Sequence, residues 1–185
     1  MAIEKVKQYF KEFGIENKIQ EFEVSSATVE LAALALNCEP ERIAKTLSFM
    51  VAEQPILVVV AGDKRVDNSK FKQQFNTKAK MLSFDEVEPL IGHAVGGVCP
   101  FAVNDGVKVY LDVSLKQFET VFPACGSGNS AIELTIAQLE KYSNYISRYK
   151  SESFAYSYER KHGITNLYWK YVVQDGYRCF RYCGC

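Results

Sequence analysis

Lys45 stands in Ile43-Ala44-Lys45-Thr46-Leu47, a single charge among apolar and hydroxyl neighbours. An ammonium at the edge of a core can stabilise a developing oxyanion, or act as a base if burial lowers its pKa. The same position also suits a lysine that snorkels to the surface. A second candidate is Gly96-Gly97-Val98-Cys99-Pro100-Phe101. A glycine pair beside a proline-fixed backbone lets main chain approach a ligand closely, or simply bends a strand into a hairpin. The third is Gly126-Ser127-Gly128-Asn129, whose N–H groups and small side chains suit a phosphate, a sugar or a carboxylate.

Several chemistries are poorly served. The 126–129 loop lacks the spacing and the lysine of a P-loop, and residues 92–97 do not match the dinucleotide fingerprint. Cys99 is a nucleophile candidate by type, yet neither His93 nor His162 has a sequence-level claim to pair with it. A small buried thiol is the simpler reading. Two histidines cannot build a three-histidine metal centre. Asp63, Asp67, Asp85, Asp105 and Asp112 show no ligand spacing, and Cys183 and Cys185 stand too close for a zinc knuckle. A hydrolase built on this chain is expected to work without metal or cofactor and without a serine or cysteine triad.

The chain has 185 residues, enough for one sizeable domain. Lys and Arg number 22, as do Asp and Glu, so a nucleic-acid partner would have to meet a local basic patch. The balance hides an asymmetry. From Asn144 onward seven basic residues face three acidic ones, leaving 15 against 19 before it. No secretory segment opens the chain and no run of about 18 apolar residues occurs. The expectation is a cytoplasmic protein with reduced cysteines and no membrane contact.

The positioning elements follow from periodicity. Ile3, Val6, Phe10 and Phe13 stripe a first helix that Gly14 stops. Residues 19–24 read as an edge strand. Ser25, Ser26 and Thr28 offer caps for a helix over 29–36, with Leu31, Leu34 and Ala35 as its buried side. Pro40 starts a short helix over 41–45, which puts Lys45 at a junction just before a strand over 46–51. The apolar run 56–60 reads as a central strand covered on both faces. A helix carries Phe71 and Phe75. Ser83 and Glu86 form a capping box for a helix that Pro89 shortens. Residues 107–111 are strand-like. Ser114 is expected to cap a helix over 115–122, with Phe118 and Phe122 on one side. A strand over 131–134 and a helix capped by Thr135 and Gln138 complete one α/β domain around a mixed, curved sheet. Residues 144–185 differ, with eight of the eleven tyrosines interleaved with basic residues. They suit single-stranded nucleic acid, an extra packed segment, or an abnormal extension. The abrupt change of composition predicts a frameshifted or read-through ending.

Three pieces of the chain, in order, resemble the YbaK/EbsC-like aminoacyl-tRNA deacylases, which include the editing domain inserted in some prolyl-tRNA synthetases. They are Thr28-Val29-Glu30 through Glu39 to Leu47, then Gly96 to Phe101 with the strand ending Leu111-Asp112, then Gly126 to Asn129 running into Ile132-Glu133-Leu134-Thr135. The resemblance covers residues 1–143 and implies a partly barrel-like curved sheet surrounded by helices. It implies hydrolysis, in trans, of the ester of a mischarged tRNA, with tRNA(Pro) carrying Cys or Ala as the family's substrates. The partners it implies are the tRNA 3′ aminoacyl end and prolyl-tRNA synthetase. It carries the conserved lysine onto Lys45, the glycine segment onto Gly96, Gly97, Val98, Pro100 and Phe101, and the opposite wall onto Gly126, Ser127, Gly128 and Asn129. Lys45 and Gly97 are the catalytic candidates, and Thr46 joins the others as substrate-binding. A non-catalytic module that binds tRNA ends or nucleotides is the alternative. Two positions depart from the family: Ala131 stands where some members have an aspartate, and Ala102 where glycine is frequent.

Overall fold

The computed structural model describes residues 2–150. The aromatic and basic segment from residue 151 on, with its proposed abnormal ending, lies outside the described residues. Helix α1 (Ala2–Lys11) buries Ile3, Val6 and Phe10, as the stripe requires, and Gly14 ends its exit turn at φ +67°. Strand β1 is only Gln20–Glu21. Helix α2 (Val29–Leu36) begins where Thr28 accepts a hydrogen bond from the Leu31 N–H. Its buried residues are Ala32 and Ala33, whereas Leu31 and Leu34 are 42% and 80% exposed. The expected apolar side is therefore turned outward, and the alanines make the close contact.

A 3-10 turn over Pro40–Arg42 leads straight into β2 (Ile43–Val51). Lys45 is thus the third residue of a strand, not a helix-end residue before one. Three residues satisfy the proline's turn, and the β-branched Ile43 then starts the extended run. Ala52 and Glu53, both at positive φ, close the hairpin to β3 (Gln54–Ala61).

Helix α3 (Asn68–Phe75) is capped by Asp67, and α4 (Phe84–Ile91) has the full Ser83–Glu86 capping box. Strand β4 (Lys108–Asp112) follows. No helix spans 115–122. Asp112 caps a 3-10 turn over Val113–Gln117, and Thr120–Pro123 is strand β5. The four-residue spacing of Phe118 and Phe122 mimics a helix, but parallel pairing of β5 with β2 overrides it. Two-residue strands β6 (Ser130–Ala131) and β7 (Leu134–Thr135) come next, then α5 (Ile136–Ser143) with its Thr135–Gln138 capping box. Strand β8 (Ser147–Tyr149) pairs with β4, three residues inside the stretch read as tail.

The main sheet runs β7-β5-β2-β3-β4-β8 and is mixed, a curved half-barrel with helices around it. Strand β3 is its centre, and Ile56 to Ala61 are all buried. One face carries Leu57 and Val59 into a core with Val6, Phe10, Val87, Ile91 and Leu139. The other carries Ile56, Val58 and Val60 against Phe49, Phe71 and Tyr149. Each such side chain contributes about 1.5–3 kcal/mol of burial. β3 and the hairpin partner it holds, β2, therefore form the rigid frame of the molecule.

Candidate active site

Strand β2 is paired with β3 along its whole length. Its other edge is covered in two places only. Ile43 and Ala44 pair with Phe122 and Pro123 of β5. At the far end the Met50 N–H donates to the Lys80 carbonyl and the Leu82 N–H to that of Ser48, 2.9 and 3.1 Å. Between them Lys45, Thr46 and Leu47 have no strand beside them among the described residues. A ladder alternates the side to which main-chain groups point. Ser48 and Met50 point outward, so Thr46 turns its N–H and C=O to the gap as well.

The gap opens into a cleft of about 490 Å³. Residues 43–48 of β2 form its floor. Ser26 to Val29 and Ala32 form one wall; Val95, Gly96 and Val98 form another. Ala124, Ser130 and Ala131 close the inner end, and Met81, Leu82 and Phe84 form the rim. The Thr46 hydroxyl is buried beneath the floor and has no hydrogen-bond partner among the described residues.

Lys45 is half-buried. Its Nζ donates to the carbonyls of Gly62 and Lys64, 3.0 and 2.6 Å. Loss of water around it pushes its pKa down, Asp63 works against that, and Arg65 adds to it. An ammonium has three N–H donors. Two are spent on carbonyls, and one remains for a ligand. The ammonium is thus tethered at the end of β3 rather than turned to bulk solvent.

The glycine segments do something other than line the cleft throughout. Gly96 lies on the wall at φ +91°. Gly97 is buried behind it, and its N–H already donates to the Ala94 carbonyl at 3.0 Å. A Cβ on Gly97 would stand 2.7 Å from the Ser127 backbone. Gly97 therefore has no free amide for an oxyanion; it lets the wall pack on the 126–129 loop. Phe101 is fully buried and packs on Phe10 at 4.8 Å between ring centres. It belongs to the core, as does Pro100 beside it by burial. Neither lines the cleft, and nor do Gly126, Ser127, Gly128 and Asn129. That loop is a clasp. The Gly128 carbonyl accepts from the Ser26 N–H at 2.6 Å, Asn129 exchanges two 2.8 Å hydrogen bonds with the Phe22 backbone, and Ser127 donates to Ser130. It holds up the wall formed by residues 26–29.

Arg42 and Glu133, from two separate sequence pieces, meet as an ion pair at 2.9 Å. Arg42 also bonds Thr120 on β5. This fixes the start of β2 to the strand that bounds the gap.

His93 and Cys99, which sequence did not pair, lie together. Cys99 Sγ is 3.6 Å from His93 Nε2, which donates to the Phe101 carbonyl at 2.8 Å. Both residues are fully buried. Burial drives the Cys99 thiol up to about 12 and the His93 imidazole down. A protonated thiol closed off from solvent is no nucleophile. Among the described residues no group of three or more His, Cys, Asp and Glu side chains is placed to hold a metal ion. No helix among them is long and apolar enough to cross a membrane.

The family model described as the aminoacyl-tRNA editing domain matches residues 23–142, which include every wall of the cleft, and the chain belongs to that family. It is 53% identical over 144 residues to the uncharacterized protein YwhH of Bacillus subtilis strain 168, across 77% of this chain and 92% of that one. It is 32% identical over 114 residues to the proline–tRNA ligase of Bacillus cytotoxicus, across 61% of this chain but 20% of the ligase. A crystal structure of a proposed trans-editing enzyme for prolyl-tRNA synthetase matches with a TM-score of 0.74 and 26% identity, over 82% of this chain and 98% of that one.

Proposed function

We propose that the protein is a stand-alone aminoacyl-tRNA deacylase that hydrolyses the ester of a mischarged tRNA, with tRNA(Pro) carrying Cys or Ala as its substrate. The observation that carries this reading is the gap beside Lys45 to Leu47. It offers the N–H and C=O of Thr46, which no strand pairs among the described residues, beside the remaining N–H of Lys45.

These groups match an aminoacyl ester. The Thr46 carbonyl accepts from the substrate's ammonium, and its N–H donates to the ester carbonyl. Lys45 donates to the oxygen that becomes negative in the tetrahedral intermediate, or to the ribose beside it. Water adds to the ester carbon, the bond to the ribose oxygen breaks, and that oxygen takes the proton. Free amino acid and tRNA leave. Gly96 and Val98 are the wall against which the side chain of the amino acid rests, and Gly97 with residues 126–129 holds that wall in place. Ala131 lines the inner end without a carboxylate, so an amine contact falls to Thr46 instead. The reading makes the tRNA 3′ end the partner, with prolyl-tRNA synthetase as the enzyme whose errors are cleared in the cytoplasm.

The likeness to the proline–tRNA ligase and to the proposed trans-editing enzyme supports the choice of tRNA(Pro). A deacylation panel tests it, with Ala-, Cys- and Ser-charged tRNA(Pro) beside correctly charged controls. Release of amino acid from the Ala or Cys substrates, with controls spared, is expected. Binding without release from any of them would overturn the reading in favour of a tRNA-end binding module.

A further inference from the structure

The cleft has an apolar lip that hydrolysis does not use. Met81, Phe84 and Val95 sit on its rim and are 56%, 75% and 49% exposed. We propose that this lip is a stacking platform for the terminal base of an RNA 3′ end, a proposal that rests on the reading of the cleft as an aminoacyl-RNA site.

Phe84 is the first residue of α4, and its backbone is held by the Ser83–Glu86 capping box just before it. Its ring meets no other aromatic ring among the described residues. Met81 is equally fixed, because Lys80 and Leu82 on either side of it bond to β2. The backbone of the platform is therefore held on both sides. It also lies on the same cavity as Lys45 and Thr46, so a base stacked there has its ribose at the mouth of the gap.

The charges next to the lip in the chain are of both signs: Lys78 and Lys80 precede Met81, and Asp85 and Glu86 follow Phe84, with Glu86 taken up by Ser83 in the capping box. Lys78 and Lys80, which lead into Met81, are exposed and form no ion pair among the described residues. An exposed ring next to exposed ammonium groups is a combination that holds single-stranded nucleic acid, the ring taking the base and the cations the phosphates. An apolar protein segment would satisfy the lip and leave the lysines unused.

The test needs only uncharged RNA. A hairpin with a single-stranded 3′ end is compared with the same hairpin carrying an abasic terminal nucleotide. Affinities of the wild type, Phe84→Ala and Phe84→Tyr are measured by fluorescence anisotropy at one salt concentration. Wild type is expected to lose about tenfold on removal of the base, at the lower end for a base–aromatic stack. Phe84→Ala is expected to bind the intact RNA about tenfold more weakly and to stop distinguishing the two. Phe84→Tyr keeps the difference. The proposal is overturned if the wild type ignores the base, if Phe84→Ala still distinguishes the RNAs, or if it weakens both equally. It also falls if the wild type is a dimer that Phe84→Ala splits, since the lip is then a self-association face. Failure of the hydrolase reading looks different: base-dependent binding persists while every mischarged tRNA survives the deacylation panel.

Discussion

Two regions of this molecule bring together groups that could do chemistry, and they are opposites. The His93–Cys99 pair has the residue types of a nucleophilic site but neither solvent nor a suitable ionisation state. The cleft at β2 is lined by no cysteine or histidine, yet it presents main-chain donors and acceptors that no strand pairs among the described residues. The difference teaches that availability decides function here, more than intrinsic reactivity. A thiol sealed in a core is a packing atom. A threonine backbone at a break in a sheet is open to a ligand.

The largest expected effect separates the two regions directly. Lys45→Ala should lower deacylation by at least about 100-fold, the scale of losing one oxyanion donor, while Cys99→Ser leaves turnover unchanged. Single-turnover assays of both variants check this; abolition by Cys99→Ser would invert the comparison. Next comes the wall. Gly97→Ala should cost about 1–3 kcal/mol, because the added carbon meets the Ser127 backbone at 2.7 Å. Gly128→Ala, with 3.5 Å of room, should be close to neutral in the same denaturant titrations.

A third effect is carried by pH. His93 is held neutral in the fold, so an unfolded chain takes up a proton there below 6.5, and stability falls as pH drops past that value. Cys99 stays a thiol up to about 12, so the unfolded chain releases its proton from about 9, and stability falls as pH climbs from 9 towards 12. Melting curves across pH should show both slopes, and His93→Gln should flatten the acid one. The smallest effect concerns Ala102, which sits at φ +48°. Ala102→Gly should relieve about 1 kcal/mol of left-handed strain. No gain in melting temperature would mean that the wall tolerates this conformation freely.

Local signals were legible and non-local ones were not. The Ser83–Glu86 and Thr135–Gln138 boxes marked true helix starts because cap and partner lie within four residues. The apolar run 56–60 marked the central strand because burial on both faces removes polar residues from it. Lys45 looked like a junction residue because its charge interrupts the strand pattern, and only pairing with Val60 places it inside β2. Phe118 and Phe122 satisfied a helical period that β5 never adopts. Leu31 and Leu34 were assigned to a core from which α2 turns them away. Two of the three sequence pieces that carry the resemblance border the cleft directly, and the third braces its wall. The resemblance did not separate the residues that line the cleft from those that brace it, because the three glycines are alike as sequence and differ only in the fold, where Gly96 takes φ +91° on the wall and Gly97 packs on the Ser127 backbone. Thr46 stood among the substrate-binding candidates, but nothing in its sequence context shows that its N–H and C=O are left open, since that depends on where two distant segments stop pairing with β2.

The break in β2 also bears on how the protein keeps to itself. An uncovered strand edge ordinarily invites a second chain to add to the sheet, which is one route to aggregation. Here the opening is three residues, about 10 Å along the strand. Residues 122–123 stopper one end and 80–82 the other. An incoming peptide has room for one ladder pair before it runs into both. Stoppers set this close together thus deny purchase to anything that must zip.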